Sequence, residues 1–174
     1  MSKYLPYGYS KSENFEKFKI NNLSFLKDGI NIRSLKFKNI EFLKMISFLV
    51  RDKNWTNYNP KTLNTDFIEE KDKIKLIFDL EFSDLNQKLI TQNTYTFTSN
   101  NIKLHSQGKF LSDFITNRSG FNILFPLKEI CGNKINITDI NNNKFSSFFP
   151  KIISPNQPFI NITEIFHSIN KINF

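Results

Sequence analysis

Lys73–Ser83 reads KIKLIFDLEFS, and its apolar residues recur at every second position. Ile74, Leu76, Phe78, Leu80 and Phe82 fall on one side; Lys75, Asp79 and Glu81 fall on the other, with Ile77 the exception. A period of two sends successive side chains to opposite faces of a pleated strand. One face is buried and the other wet, which marks a half-buried antiparallel strand.

The same period extends outward from this stretch. Asn86–Ser99 carries Leu89, Tyr95 and Phe97 in phase, and Asn101–Phe114 carries Ile102, Leu104 and Phe110. Ser99-Asn100-Asn101 turns the chain between them, since Asn tolerates left-handed backbone angles. Upstream, Asn31–Phe37 alternates through Ile32 and Leu35, after a hairpin signal at Asp28-Gly29. Ile40–Val50, IEFLKMISFLV, is almost continuously apolar and fits either a helix or a doubly buried strand. A strand is the reading preferred, because neither end carries a helix cap and Phe and Ile dominate. Gly120–Pro126, Lys134–Ile140 and Ile160–Ile169 read as further strands, with a turn at Asn141-Asn142-Asn143. The chain is expected to end after the last of these with no return strand.

Composition agrees. The 174 residues include 20 Phe, 5 Tyr and 1 Trp, no Ala, and a single Val, Val50. Without Ala, the best helix former, a helical fold is disfavoured, while Phe, Ile and Thr suit strands. The fold class is therefore all-β: an antiparallel β-sandwich, supersandwich-like, of roughly nine to eleven strands with little helix. No repeat or linker divides it. Residues 15–174 read as one sandwich domain behind a loosely ordered segment, 1–14.

Charge and cysteine narrow the function classes. The net charge of +8 suggests an anionic partner. Its excess is spread as single Lys residues, and Arg33, Arg51 and Arg118 are the only arginines. Nucleic-acid binders cluster Arg and Lys on one face, so a solvated surface is the better reading and no nucleic-acid partner is expected. No apolar run approaches a membrane span, and the N-terminus has no apolar signal region. One cysteine, Cys131, cannot form an internal disulfide, which points to a cytoplasmic setting.

The usual chemistry-bearing patterns are missing. His105 and His167 have no partner at metal-ligand spacing, and the five glycines never group into a phosphate loop. No metal or cofactor is expected. Cys131, after an apolar run, reads as a small buried residue. Glu69-Glu70-Asp72 reads as part of a polar turn and Asp79-Glu81 as the outer face of a strand, both solvated.

Four segments break the period with groups of special geometry. Val50–Trp55 sets Arg51, Asp52 and the only Trp, Trp55, just after the most apolar strand. Ser112–Phe121 holds Asn117 and Arg118. Phe148-Phe149-Pro150 is the third. Ile153–Phe159, with Gln157 between two prolines that fix an extended path, is the fourth. Each is either a structural corner, with Arg51 pairing Asp52 or Asp113, or part of a polar pocket at one end of the sandwich. In the second reading Trp55 is a stacking platform for a sugar-like ligand. The candidate ligand-binding residues are Arg51, Asp52, Trp55, Asn117, Arg118 and Gln157; no catalytic residue is assigned.

Three stretches in order resemble the N-terminal domain of the D-apionate lactonase family. They are IRSLKFKNIEFLKMISFLVRDKNW (32–55), LSDFITNRSGFNILFPLKEICG (111–132) and FFPKIISPNQPF (148–159) followed by INITEIFH (160–167). The family has similar RD-x-NW, DF-x-x-NR-x-GF-x-x-LHP and FP-x-x-I-x-P-x-QPF segments. Its LHP is Leu124-Phe125-Pro126 here, so a histidine is missing at that position. The resemblance implies a β-sandwich that precedes a (β/α)-barrel in enzymes of D-apiose breakdown, which open the lactone of D-apionate with water. It implies an accessory, non-catalytic role next to a barrel domain in cis or trans, with a sugar-acid lactone or related carbohydrate as ligand. Arg51, Asn117 and Arg118 would donate to a polyhydroxy acid and Trp55 would wall it. A free-standing carbohydrate-binding or structural sandwich, and a fragment of a longer gene, are the alternatives.

Overall fold

The computed structural model describes residues 15–152, 159–169 and 172–174. Its strands are β1 (Glu16–Ile20), β2 (Leu23–Asp28), β3 (Asn31–Phe37), β4 (Ile40–Arg51), β5 (Lys61–Glu70), β6 (Lys73–Ser83), β7 (Lys88–Thr98), β8 (Ile102–Phe110), β9 (Arg118–Leu124), β10 (Lys134–Asp139), β11 (Lys144–Phe148), β12 (Ile162–Ile169) and β13 (Ile172–Asn173). One helical turn, α1 (Leu127–Ile130), follows β9. The described residues thus hold thirteen strands, more than the nine to eleven expected. The segment 1–14 lies outside them.

All pairings are antiparallel and build three sheets, β1-β2-β3-β4-β9, β5-β6-β7-β8 and β11-β10-β12-β13. The first two face each other. Strand β6 buries Ile74, Leu76, Phe78, Leu80 and Phe82 to within 1% of full burial, the five residues its period selects. They meet Ile20, Leu23, Phe25, Ile32, Leu35, Ile46, Phe48 and Val50 of the opposing sheet in one apolar cluster. Aromatic rings lock the layers together: Phe25 stacks on Phe97 at 4.0 Å, and Tyr95 meets Phe121 edge-on at 5.5 Å. Strand β7 also turns two polar groups inward. Asn93 donates to Thr91 Oγ1 (3.0 Å) and accepts from Ser106 Oγ (2.7 Å), which lowers the cost of its burial.

The third sheet has its own smaller core of Ile130, Ile135, Ile137, Phe149 and Ile169, against which Phe42 of β4 packs. Phe42 touches both cores and stacks on Phe174 at 4.8 Å.

Several local expectations change. Ile40–Val50 is a strand, as read. Glu69 and Glu70 close β5 rather than lying in a turn; the turn is Lys71-Asp72. The final strand starts at Ile162 and does have a return strand: β13 pairs with it, Ser168 opposite Asn173 and Ile169 opposite Ile172. Cys131 is exposed, its Sγ 3.2 Å from the Lys151 carbonyl. It follows α1, whose single turn is too short to bury it.

Candidate functional site

Strand β4 ends at Arg51 and β9 begins at Arg118, and the register places these two residues directly opposite each other. Two like charges facing across a ladder repel. What holds them is the loop between β4 and β5. Asp52 Oδ1 accepts from the backbone N–H of Asn54 (2.7 Å) and of Thr56 (2.9 Å), a tight turn built on one carboxylate. Trp55 N–H donates back to the Asp52 carbonyl at 3.1 Å. The turn forces Trp55 to φ +69°, a left-handed conformation unusual for a bulky side chain.

The indole ring then lies beneath both arginines. The guanidinium carbons of Arg51 and Arg118 stand 5.7 and 5.0 Å from its centroid. Cations over an aromatic face are attracted by its quadrupole, which offsets part of their mutual repulsion. The ring remains about half exposed, at 51%.

The second loop completes the arrangement. Asn117 N–H donates to the Arg51 carbonyl (3.0 Å), and the Thr116 hydroxyl lies 2.7 Å from that oxygen and 3.0 Å from the Arg118 carbonyl. Ser112 Oγ accepts from Lys88 N–H (2.8 Å), and Ile115 N–H donates to Gln87 Oε1. Tyr58 donates to Asp84 Oδ2 (3.1 Å) and packs on Phe114 with ring centroids 5.3 Å apart. Burial and the neighbouring Asp84 carboxylate raise the Tyr58 pKa. Backbone N–H donation from Asn86, then the Tyr58 hydroxyl and Gln87, hold the Asp84 carboxyl below its ordinary value. Three loops, β4–β5, β6–β7 and β8–β9, are therefore pinned together at one end of the sandwich.

A surface depression of about 460 Å³ opens there, lined by Leu49, Arg51, Asn117, Arg118, Ser119, Gly120, Phe121 and Asn122; Trp55 adjoins it through the two arginines rather than lining it. Its charged groups are cationic, so it suits an anion with hydroxyls to share.

Five of the six expected site residues, Arg51, Asp52, Trp55, Asn117 and Arg118, come together. The roles differ from the simplest expectation for one pair. Arg51 forms no ion pair with Asp52 among the described residues; its Nε donates to Asn57 Oδ1 (3.0 Å) while Asp52 serves backbone amides. Gln157, with the rest of 153–158, lies outside the described residues. Phe148-Phe149-Pro150 is not part of the site: Phe149 is buried in the small core of the third sheet. Asn57 and Thr116 are additions. Thr116 lies inside the second quoted stretch and Asn57 just past the first, but their pairing needs the β4–β9 register to be known.

A family model described as the N-terminal domain of D-apionate lactonase matches residues 6–173. A curated D-apionate lactonase from Brucella anthropi is 27% identical over 145 residues, which cover 82% of this chain and 24% of that protein. The chain thus spans about a quarter of the length of the relative it matches. No solved structure matches.

Proposed function

The chain belongs to the D-apionate lactonase N-terminal domain family, and from that premise we propose that it is the accessory sandwich of a carbohydrate-acid lactone hydrolase. In this reading it binds the sugar acid and does not itself break the ester. The observation that carries the reading is Trp55, held at φ +69° and half exposed beneath two guanidinium groups. Backbone strain in a bulky residue costs about 1–3 kcal/mol and concentrates at binding and active sites. An aromatic face suits the C–H surface of a sugar, and planar guanidinium groups suit a carboxylate.

Lactone hydrolysis adds water across the ester C–O bond and leaves a carboxylate and a hydroxyl. The attack needs a general base for the water and donors for the oxyanion. Asp52, the nearest carboxylate in sequence, is committed to two backbone amides and is poorly placed to act as that base. The base then belongs to a barrel domain, in cis or trans, against which this end of the sandwich is set. Arg51, Asn117 and Arg118 hold the polyhydroxy acid and Trp55 walls it. The setting is the breakdown of D-apiose in the cytoplasm, consistent with a single, exposed cysteine.

The test is turnover. The purified chain alone should leave D-apionolactone hydrolysing at the buffer rate. Turnover above that rate that is lost in Asp52→Asn would overturn the accessory role and make Asp52 a catalytic base.

A further inference from the structure

A second cavity lies far from Trp55. It opens beside Phe42 and Leu43, near the start of β4, and its nearest lining residue on β9, Ile123, lies five residues from Arg118, about 17 Å at roughly 3.3 Å per strand residue. The three sheets meet there and leave about 440 Å³ between them. Leu23, Phe42, Ile123, Phe125, Ile165 and Phe174 are among its apolar lining, and Ser99, Asn100, Asn101 and Asn173 also border it. No Lys, Arg, Asp or Glu stands among the described residues lining it. A polyhydroxy acid would strand its hydroxyls here, so this is not a second copy of the arginine site.

One titratable side chain reaches the wall, and it is His167, only 5% exposed. Phe125 and Phe149 meet its ring edge-on at 5.6 and 5.3 Å, and Phe174 stacks on it at 5.8 Å. Its Nδ1 is buried with no hydrogen-bond partner among the described residues. A stranded buried N–H is the rarer defect in proteins, so Nδ1 keeps a bare lone pair. Burial also lowers the imidazole pKa, which keeps the ring neutral. A neutral ring with bare Nδ1 carries its proton on Nε2. With Nδ1 buried, Nε2–H is the polar group that His167 has left to offer, in a wall whose other polar residues are Ser99, Asn100, Asn101 and Asn173.

We infer that this cavity binds a small, largely apolar molecule carrying one hydrogen-bond acceptor of the carbonyl type, received by His167 Nε2–H. The volume falls within the range of small-molecule pockets, which combine apolar walls with a few placed polar groups. The inference does not depend on the proposed lactonase role, because it uses none of the arginine-site residues.

The experiment uses the full 174-residue chain, labelled at the Ile methyls and the His ring nitrogens, and a matched pair of probes. 2-Acetylnaphthalene carries a carbonyl; 2-ethylnaphthalene has nearly the same shape without it. Both should shift the Ile123 and Ile165 methyl resonances. The ketone should bind about fivefold tighter, the factor a net hydrogen bond supplies, and should move the His167 Nε2 resonance. In His167→Phe the two probes should bind equally. Equal affinities in the unsubstituted chain, or a ketone preference that survives His167→Phe, would overturn the assignment. Should His167→Phe fail to fold, an unmoved Nε2 resonance on ketone addition to the unsubstituted chain overturns it alone.

Discussion

Replacing Phe97 by Ala attacks the contact that makes two sheets into one sandwich. Phe97 is fully buried on β7, and its ring stacks at 4.0 Å and 23° on Phe25 of the opposing sheet. Removing a buried Phe side chain costs about 3–5 kcal/mol, the lost transfer free energy plus the cavity left behind. Roughly 0.5–1.5 kcal/mol beyond area burial belongs to the stacked pair. In a chain of this size each kcal/mol shifts the melting temperature by about 2–4 °C, so the drop should be roughly 6–20 °C. Urea denaturation followed by far-UV circular dichroism reads the free energy directly, with an unchanged m-value showing that only stability moved. Phe67→Ala is the comparison. Phe67 also touches a ring, Phe18 at 5.4 Å, but it lies 47% exposed on the outermost strand, β5. Its loss should cost no more than about 1 kcal/mol, since it leaves no closed cavity. In Phe25→Ala/Phe97→Ala the two losses should not add, because the residues share one contact. A Phe97→Ala cost under about 1 kcal/mol, or equal costs at the two positions, would refute the facing-sheet packing.

Stability should also depend on pH in two stages. His167 is neutral in the fold and protonates below its ordinary 6.5, whereas the unfolded chain takes up a proton near 6.5. Its contribution is therefore full above that pH and declines as pH falls below it. Asp84 and Asp139 are held below their ordinary value by backbone N–H donors and, for Asp139, first by Asn143, so their contributions are lost only as pH falls below about 4. Thermal melts from pH 8 to pH 3 should show both declines, and His167→Phe should remove the first; a flat profile between pH 7 and pH 5 would contradict the buried neutral imidazole. Trp55→Gly relieves the left-handed strain but forfeits the two cation–π contacts, terms of about 1 kcal/mol each. Its melting temperature should stay within about 4 °C of the parent, while any sugar-acid binding is lost. Asp52→Ala frees two backbone amides and should cost roughly 1–3 kcal/mol, read by urea denaturation; no loss would mean that the turn is held by something other than its carboxylate.

Where burial follows a strict period, sequence was enough. Strands β6 and β7 alternate between buried and wetter positions over eleven residues each; the apolar phase of β6 is the core, and β7 follows the same phase with Thr91 and Asn93 buried where a purely apolar pattern would not place them. Strand β5 escaped because it buries nothing: all ten of its residues are exposed, and the register shifts between Thr62 and Asn64. An edge strand held by backbone hydrogen bonds leaves no hydrophobic pattern to read. The closing hairpin was missed for a similar reason, as β13 is only two residues long. Arg51, Trp55 and Arg118 stood out as charged and aromatic groups at strand ends. That they share one site follows from the β4–β9 pairing, a long-range contact that no local pattern encodes. The sequence marks His167 only as a histidine with no partner at metal-ligand spacing. Its isolation among Phe125, Phe149 and Phe174 arises where three sheets meet, which only the assembled fold shows.

Trp55 is the single tryptophan of the chain, so its fluorescence reports the candidate site without competition. D-Apionate titrated into the purified chain should change that emission along a saturating curve at concentrations up to about 10 mM, the range of a weak specific complex. Arg118→Ala, which removes the guanidinium 5.0 Å from the ring, should abolish the change while leaving the fold intact by circular dichroism. Flat emission from the unsubstituted chain across that range, or the same curve from Arg118→Ala, would contradict sugar-acid binding at this end of the sandwich.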